Sequence, residues 1–201
     1  MIRIYGSARS RAARCLWMLE EIGQPYEHLD LADLEDDARL QTVTPVNPIG
    51  KVPALEDGDI KLFESMAINL YLAARYGGEL WPTEVGAQGL TTAWSIWGMT
   101  ETEPPLGQLF FERTIRSSAD RDPDNEARAE QTLRRPMAAL EHYLDGRAWL
   151  VGDRFTVADL NLASVLTLMN RASYDLSDYP NISRWRGDCY DRPAYRRCYP
   201  G

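Results

Sequence analysis

Asn47-Pro48-Ile49-Gly50-Lys51-Val52-Pro53-Ala54-Leu55, with Glu64-Ser65 nine residues further on, reads as loop, strand, turn, strand and helix start. Asn47-Pro48 marks a turn, because the residue before a proline is pushed out of the α region. Gly50 permits backbone angles that side chains forbid. Val52 to Glu56 is a short apolar run, and Asp57-Gly58 then signals a hairpin. Ile60 to Phe63 is the return strand, and Glu64-Ser65 opens a helix that ends near Gly77-Gly78. Pro53 stands at the mouth of the first strand, where a residue without an amide hydrogen does least harm. An X-Pro bond is also the one place where a cis peptide is cheap. A cis Val52-Pro53 bond would turn the polar groups of Val52 outward, for an extended peptide to pair with as an added strand. An ordinary trans proline opening a strand is the alternative.

Upstream, Ile2 to Tyr5 is a short apolar strand and Gly6 to Arg9 a polar loop. Ser10 suits a helix N-cap, and Arg11 to Ile22 reads as helix. Ala12, Cys15, Leu16, Leu19 and Ile22 recur at helical spacing and give it one apolar face. Pro25 to Leu31 is a second strand, so the first three elements form a β-α-β unit with a parallel pair. Asp33 to Val43 is an acidic, weakly patterned helix. Residues 1–77 therefore read β-α-β-α-β-β-α, a thioredoxin-like α/β domain with a four-stranded mixed sheet. Gly77-Gly78, Trp81-Pro82 and Gly86 make 78–89 a linker. Residues 90–201 show no convincing strand and read as an all-α domain. Pro104-Pro105 should kink or break its first helix, over 90–117, and Pro136 should bend the next. Thr156-Val157-Ala158-Asp159 resembles a capping box, so Asp159 is read as structural.

The chain has 201 residues, 44% hydrophobic and 26% charged, which suits one large or two small globular domains. A net charge of −8 repels phosphate backbones, so nucleic acid is not an expected partner. No apolar run approaches the roughly 20 residues that cross a bilayer. The first residues run into a strand with no signal-peptide pattern, so a cytoplasmic location is expected. The three cysteines, Cys15, Cys189 and Cys198, are odd in number and lack a Cys-x-x-Cys spacing, which argues against a disulfide framework. His28 and His142 are the only histidines and stand far from other ligand types, so no metal site is expected.

Two helix starts carry chemistry. Ser10 would sit where free N–H groups and the positive end of a helix dipole meet. A sulfur anion placed there is stabilised, and a hydroxyl aimed at it adds a charge-assisted hydrogen bond. A thiol with an ordinary pKa of about 8.5 then ionises nearer neutrality. A plain N-cap serine is the alternative. Glu64-Ser65 pairs opposite polarities: Ser65 can donate to a carboxylate at a helix N-terminus, and Glu64 can accept from an ammonium. Lys51, before the strand, is free to meet another carboxylate.

Asn-Pro-x-Gly-Lys-Val-Pro-x-Leu, a hairpin, then Glu-Ser at a helix start resembles the glutathione-binding half of a cytosolic glutathione transferase, of a bacterial-like, serine-type kind. The resemblance extends over nearly the whole chain, including the Thr-x-x-Asp box of the helical domain. It implies a cis Pro53, with Val52 pairing to the cysteinyl backbone of glutathione and Glu64-Ser65 holding the γ-glutamyl end. It implies Ser10 as the catalytic serine, four residues ahead of Arg14, with Ser7 as the rival and Tyr5 too early in the strand. Lys51 would meet the glycyl carboxylate. Glutathione would be the co-substrate, its thiolate conjugated to an apolar electrophile, in detoxification. Thr91 to Glu103, with Trp94, Trp97 and Met99, could wall the electrophile pocket or form a core stripe. A symmetric homodimer is implied. Glutathione-dependent isomerase, peroxidase or disulfide reductase activity stays open as an alternative, as does a non-catalytic interaction module.

Overall fold

Strands β1 (Ile2–Tyr5), β2 (Tyr26–Leu29), β3 (Ala54–Asp57) and β4 (Ile60–Phe63) form one sheet in the order β2-β1-β3-β4. The computed structural model describes residues 1–199. β1 runs parallel to β2, with Ile4 opposite His28, because the helix α1 (Ala12–Ile22) carries the chain back across the sheet. β1 and β3 are antiparallel, with Tyr5 opposite Ala54, and β3 and β4 make the hairpin. The hairpin turn is Gly58-Asp59, one residue later than the sequence suggests. Gly58 has φ +61°, as a two-residue turn requires, and Asp57 remains in the strand. α2 (Asp36–Val43) is short and buries only Val43, so it is held by its neighbours more than by its own pattern. α3 (Ser65–Tyr76) has the expected span. The sheet is mixed, as the β-α-β-α-β-β-α order implies.

The second unit, Thr83–Tyr190, is helical among the described residues. It holds α4 (Val85–Trp97), α5 (Glu103–Phe110), α6 (Pro123–Tyr143), α7 (Val157–Arg171) and α8 (Pro180–Tyr190). Five-residue π-helical turns, Gly98–Thr102 and Phe111–Ile115, flank α5. Pro104 and Pro105 fall in the first turn of α5, where a missing amide hydrogen is harmless. They follow directly on the π-helical turn Gly98–Thr102, so the ordinary α-helical ladder is interrupted here, as the prolines imply. α7 is the centre of this unit and is buried from Val157 to Leu166. Its capping box is formed: Asp159 Oδ2 accepts from the Thr156 amide at 2.9 Å. Asp159 Oδ1 also accepts from the Leu150 amide and the Trp185 indole, at 2.8 and 2.9 Å.

The expected boundaries differ from the observed units. Gly86 and Gly89 lie inside α4, because a helix tolerates a glycine at a cost of about 1 kcal/mol. The segment from Asp191 belongs with Met1–Pro82, where α9 (Pro193–Cys198) packs on α1. Arg192 forks onto Glu21, with Nε and Nη2 each 2.7 Å from a carboxylate oxygen, and Arg197 pairs with Glu20. Trp17 meets the rings of Tyr195 and Tyr199 edge-on. α1 is therefore buried at every position from Ala12 to Leu19, beyond the single apolar face of its sequence.

Candidate active site

Gly6 links β1 to the loop before α1. Its φ is +126°, and a Cβ there would stand 2.9 Å from the Cβ atoms of both Ala12 and Val52. Only glycine fits both the backbone angle and the space. α1 begins at Ala12, so Ser10 lies in the turn just ahead of the helix and one residue short of the cap position. It still caps: its Oγ accepts from the Ala12 amide at 3.1 Å and donates to the Ser7 carbonyl at 2.7 Å. The Ser7 hydroxyl accepts from the Arg9 amide at 3.1 Å. Tyr5 is buried in β1, and its hydroxyl donates to Glu56 at 2.5 Å. Burial and then that carboxylate push its phenol up to about 12. Cys15 is fully buried, and burial pushes its thiol up, so it is inert core.

The Asn47–Val52 loop is shaped by a buried asparagine. Asn47 Nδ2 donates to the Lys51 carbonyl at 2.7 Å, and its Oδ1 accepts from the Ile49 amide at 3.1 Å. Gly50 has φ +72°, and a Cβ there would run into Leu40. The Val52–Pro53 peptide is cis. The Val52 main chain makes no hydrogen bond among the described residues. Beneath this loop, Tyr5, Leu31, Val43, Val46 and Ala54 form a small core on which Val52 packs. Between the two loops lies a cavity of about 380 Å³, lined by Ser7, Ser10, Arg39, Lys51 and Val52 among others. That volume suits a small peptide. Three separate segments thus supply two hydroxyls, an unpaired stretch of main chain and two cations.

Pro53, Glu64 and Ser65 do not line this cavity. Ser65 is the first residue of α3, and no side-chain cap hydrogen bond holds that helix start, so its first N–H groups have no capping side-chain acceptor. Glu64 is exposed and has φ 68°, a conformation that costs a non-glycine residue about 1–3 kcal/mol. Ser65 is tied to α1: Arg14, buried, places Nη1 3.4 Å from the Ser65 hydroxyl, and the Cys15 thiol faces the Ser65 carbonyl at 3.7 Å. α1 therefore has Ser10 just ahead of its start and supports Ser65 from its first turn. Sequence reasoning missed Arg39 as a cavity residue, because a cation in an exposed acidic helix, here paired with Asp36, looks like ordinary surface. It used Arg14 only as a spacing mark. No group of three or more His, Cys, Asp or Glu that could hold a metal occurs among the described residues.

Two family models match the chain: the glutathione S-transferase N-terminal domain over residues 2–74, and the C-terminal domain over residues 102–193. A glutathione S-transferase from Hyoscyamus muticus is 31% identical, over 98% of this chain and 96% of that protein. The chain belongs to the glutathione S-transferase family. A probable glutathione S-transferase from Oryza sativa subsp. japonica is 29% identical over 98% of this chain and 94% of its own. Among solved structures, the theta class glutathione S-transferase of Xanthomonas axonopodis pv. citri, with glutathione bound, is 28% identical. It superposes with a TM-score of 0.90 over 100% of this chain and 97% of that one. The thioredoxin-like domain and the helical domain are those of the transferase fold.

Proposed function

We propose that this transferase binds glutathione in the cavity between the Gly6–Ser10 loop and the Asn47–Val52 loop, and conjugates it to an apolar electrophile. The observation that carries the reading is the convergence of Ser10, Val52 and Lys51 on one cavity of about 380 Å³. The Val52 amide and carbonyl pair with the cysteinyl backbone as an added strand. The glycyl carboxylate meets Lys51 and Arg39. The γ-glutamyl carboxylate meets the start of α3 and the Ser65 hydroxyl, and its ammonium meets Glu64. Ser10 donates to the sulfur, which makes the enzyme serine-type. The thiolate attacks an electrophilic carbon, the new C–S bond forms, and the leaving group departs with its electron pair.

We read the protein as a cytoplasmic homodimer serving detoxification. Its three cysteines are buried and form no disulfide among the described residues, which fits a reducing compartment. Apolar side chains are exposed on β4, at Ile60 and Phe63, and on α4, at Leu90 and Ile96, which suits a two-fold contact. The test is glutathione-affinity chromatography followed by turnover of an aryl halide, a peroxide and a disulfide, with mass by light scattering. Retention on the column, thioether formation and a dimer mass are expected. Flow-through of the wild type would sink the site. Retention with turnover of the peroxide or disulfide alone would replace conjugation by that reaction.

A further inference from the structure

We propose that His28 is a positioning residue of the thiol-activating loop, holding the Gly6 carbonyl and so the plane of the peptide from which Ser7 to Ser10 departs. The inference rests on the reading of that loop as the one that stabilises the thiolate. His28 lies on β2, opposite Ile4 of β1, and its Nε2 is 2.8 Å from the Gly6 oxygen. A carbonyl oxygen only accepts, so Nε2 carries a hydrogen and donates it. The Gly6 amide in turn donates to the carbonyl of Leu29 at 3.0 Å. Both polar groups of Gly6 are thus tied to consecutive residues of one strand. The Arg3–Glu27 ion pair, at 2.8 Å, ties β2 to β1 one residue earlier.

Gly6 is the one residue of this loop that sterics cannot hold. Ala12 and Val52 leave no room for a Cβ, so the position must be glycine. Glycine has the widest choice of backbone angles of any residue. What keeps the Gly6–Ser7 peptide in one orientation is therefore its hydrogen bonds. His28 is exposed, so packing does not explain the imidazole. Gly6 lines the same cavity as Ser7, Ser10 and Val52, so a rotation of its peptide plane moves the turn that presents Ser10. The rest of the tripeptide rests on Val52 and on the start of α3, which this hydrogen bond does not touch. Losing it should change the ionisation of bound thiol and leave affinity alone.

The experiment compares His28→Val, His28→Gln and Ser10→Ala with the wild type. Valine suits a strand, and glutamine restores an N–H donor at similar reach. Thiolate absorbance of the glutathione complex is titrated against pH, with Kd by calorimetry and melting temperature alongside. His28→Val is expected to raise the apparent thiol pKa by about half a unit to one unit and to lower kcat about three- to tenfold, with Kd within about twofold. His28→Gln is expected to recover most of both. An unchanged titration in His28→Val, beside a clear shift in Ser10→Ala, would overturn the inference and leave the site reading standing. Failure of His28→Gln to recover, or parallel losses in Kd and melting temperature, would also overturn it, because then the strand is at stake and not the hydrogen bond. A wild type that binds no glutathione would sink the site reading and this inference with it.

Discussion

Ser10 already has two partners, so its hydroxyl must turn its hydrogen away from the Ser7 carbonyl to donate to a thiolate. The Ala12 amide can keep its bond throughout. Ser10→Ala therefore removes a donor aimed at an anion, together with the cap on the Ala12 amide. The apparent pKa of bound glutathione is expected to rise, and the rate near neutral pH to fall roughly ten- to a hundredfold, for a charged hydrogen bond of about 1.5–3 kcal/mol. Glutathione affinity is expected to change little, because the hydroxyl favours the anion over the thiol and not the tripeptide. Thiolate absorbance against pH measures the shift. A shift in Ser7→Ala with none in Ser10→Ala would move the role to Ser7. At this scale the sequence was most legible where a residue's neighbours dictate its backbone: Val52 before Pro53, Lys51 after Gly50, Ser65 after Glu64. It was least legible for Arg14 and Arg39, whose meaning comes from segments far away in the chain.

Asp57 shows how one element is fastened to the next. It ends β3, and its Oδ2 accepts from the hydroxyls of Tyr71 and Tyr76 on α3, at 2.8 and 2.6 Å. Arg75 adds its charge at 3.4 Å. Burial alone would raise this carboxyl; the two hydroxyls and the arginine outweigh it and hold the group below its ordinary value of 3.8. The folded chain then binds the proton less tightly than the unfolded chain. Asp57 contributes stability above about pH 4, and that stability is lost as pH falls through the lowered value. Asp57→Asn is expected to lower stability at neutral pH and to flatten the acid limb of a urea-denaturation series between about pH 5 and 2. A parallel acid limb in the mutant would count against the linkage. Such ties were not readable in advance. The hairpin and α3 followed from turn signals and local pattern, whereas the burial of Trp17 depends on α9, some 180 residues away by number. Local periodicity has no term for a segment that returns to cover a second face of α1.

Across the whole chain, the two-part architecture could be read from strands that stop and helices that continue, but not from the glycines that looked like a linker. The proline pair interrupts the α-helical ladder, as its sequence implies. It reads as a break in one long helix, and in the molecule it opens a new one, after a wider turn has taken up the mismatch. Those wider turns matter for how the chain can change in length. A π-helical turn holds one residue more than an α-helix needs to cover the same rise. Taking out Thr100, which is exposed, would remove the surplus and let the ladder close as ordinary helix. The same deletion at Ser164, in the buried run of α7, would rotate all that follows by about 100° and swing Val165, Leu166 and Met169 off the core. The Thr100 deletion is expected to melt near the wild type and the Ser164 deletion to leave no cooperative transition by circular dichroism; equal damage from both would refute the distinction. The joints on either side of α5 are thus spare stitches, where the gene can gain or lose a codon and the helices beyond keep their register.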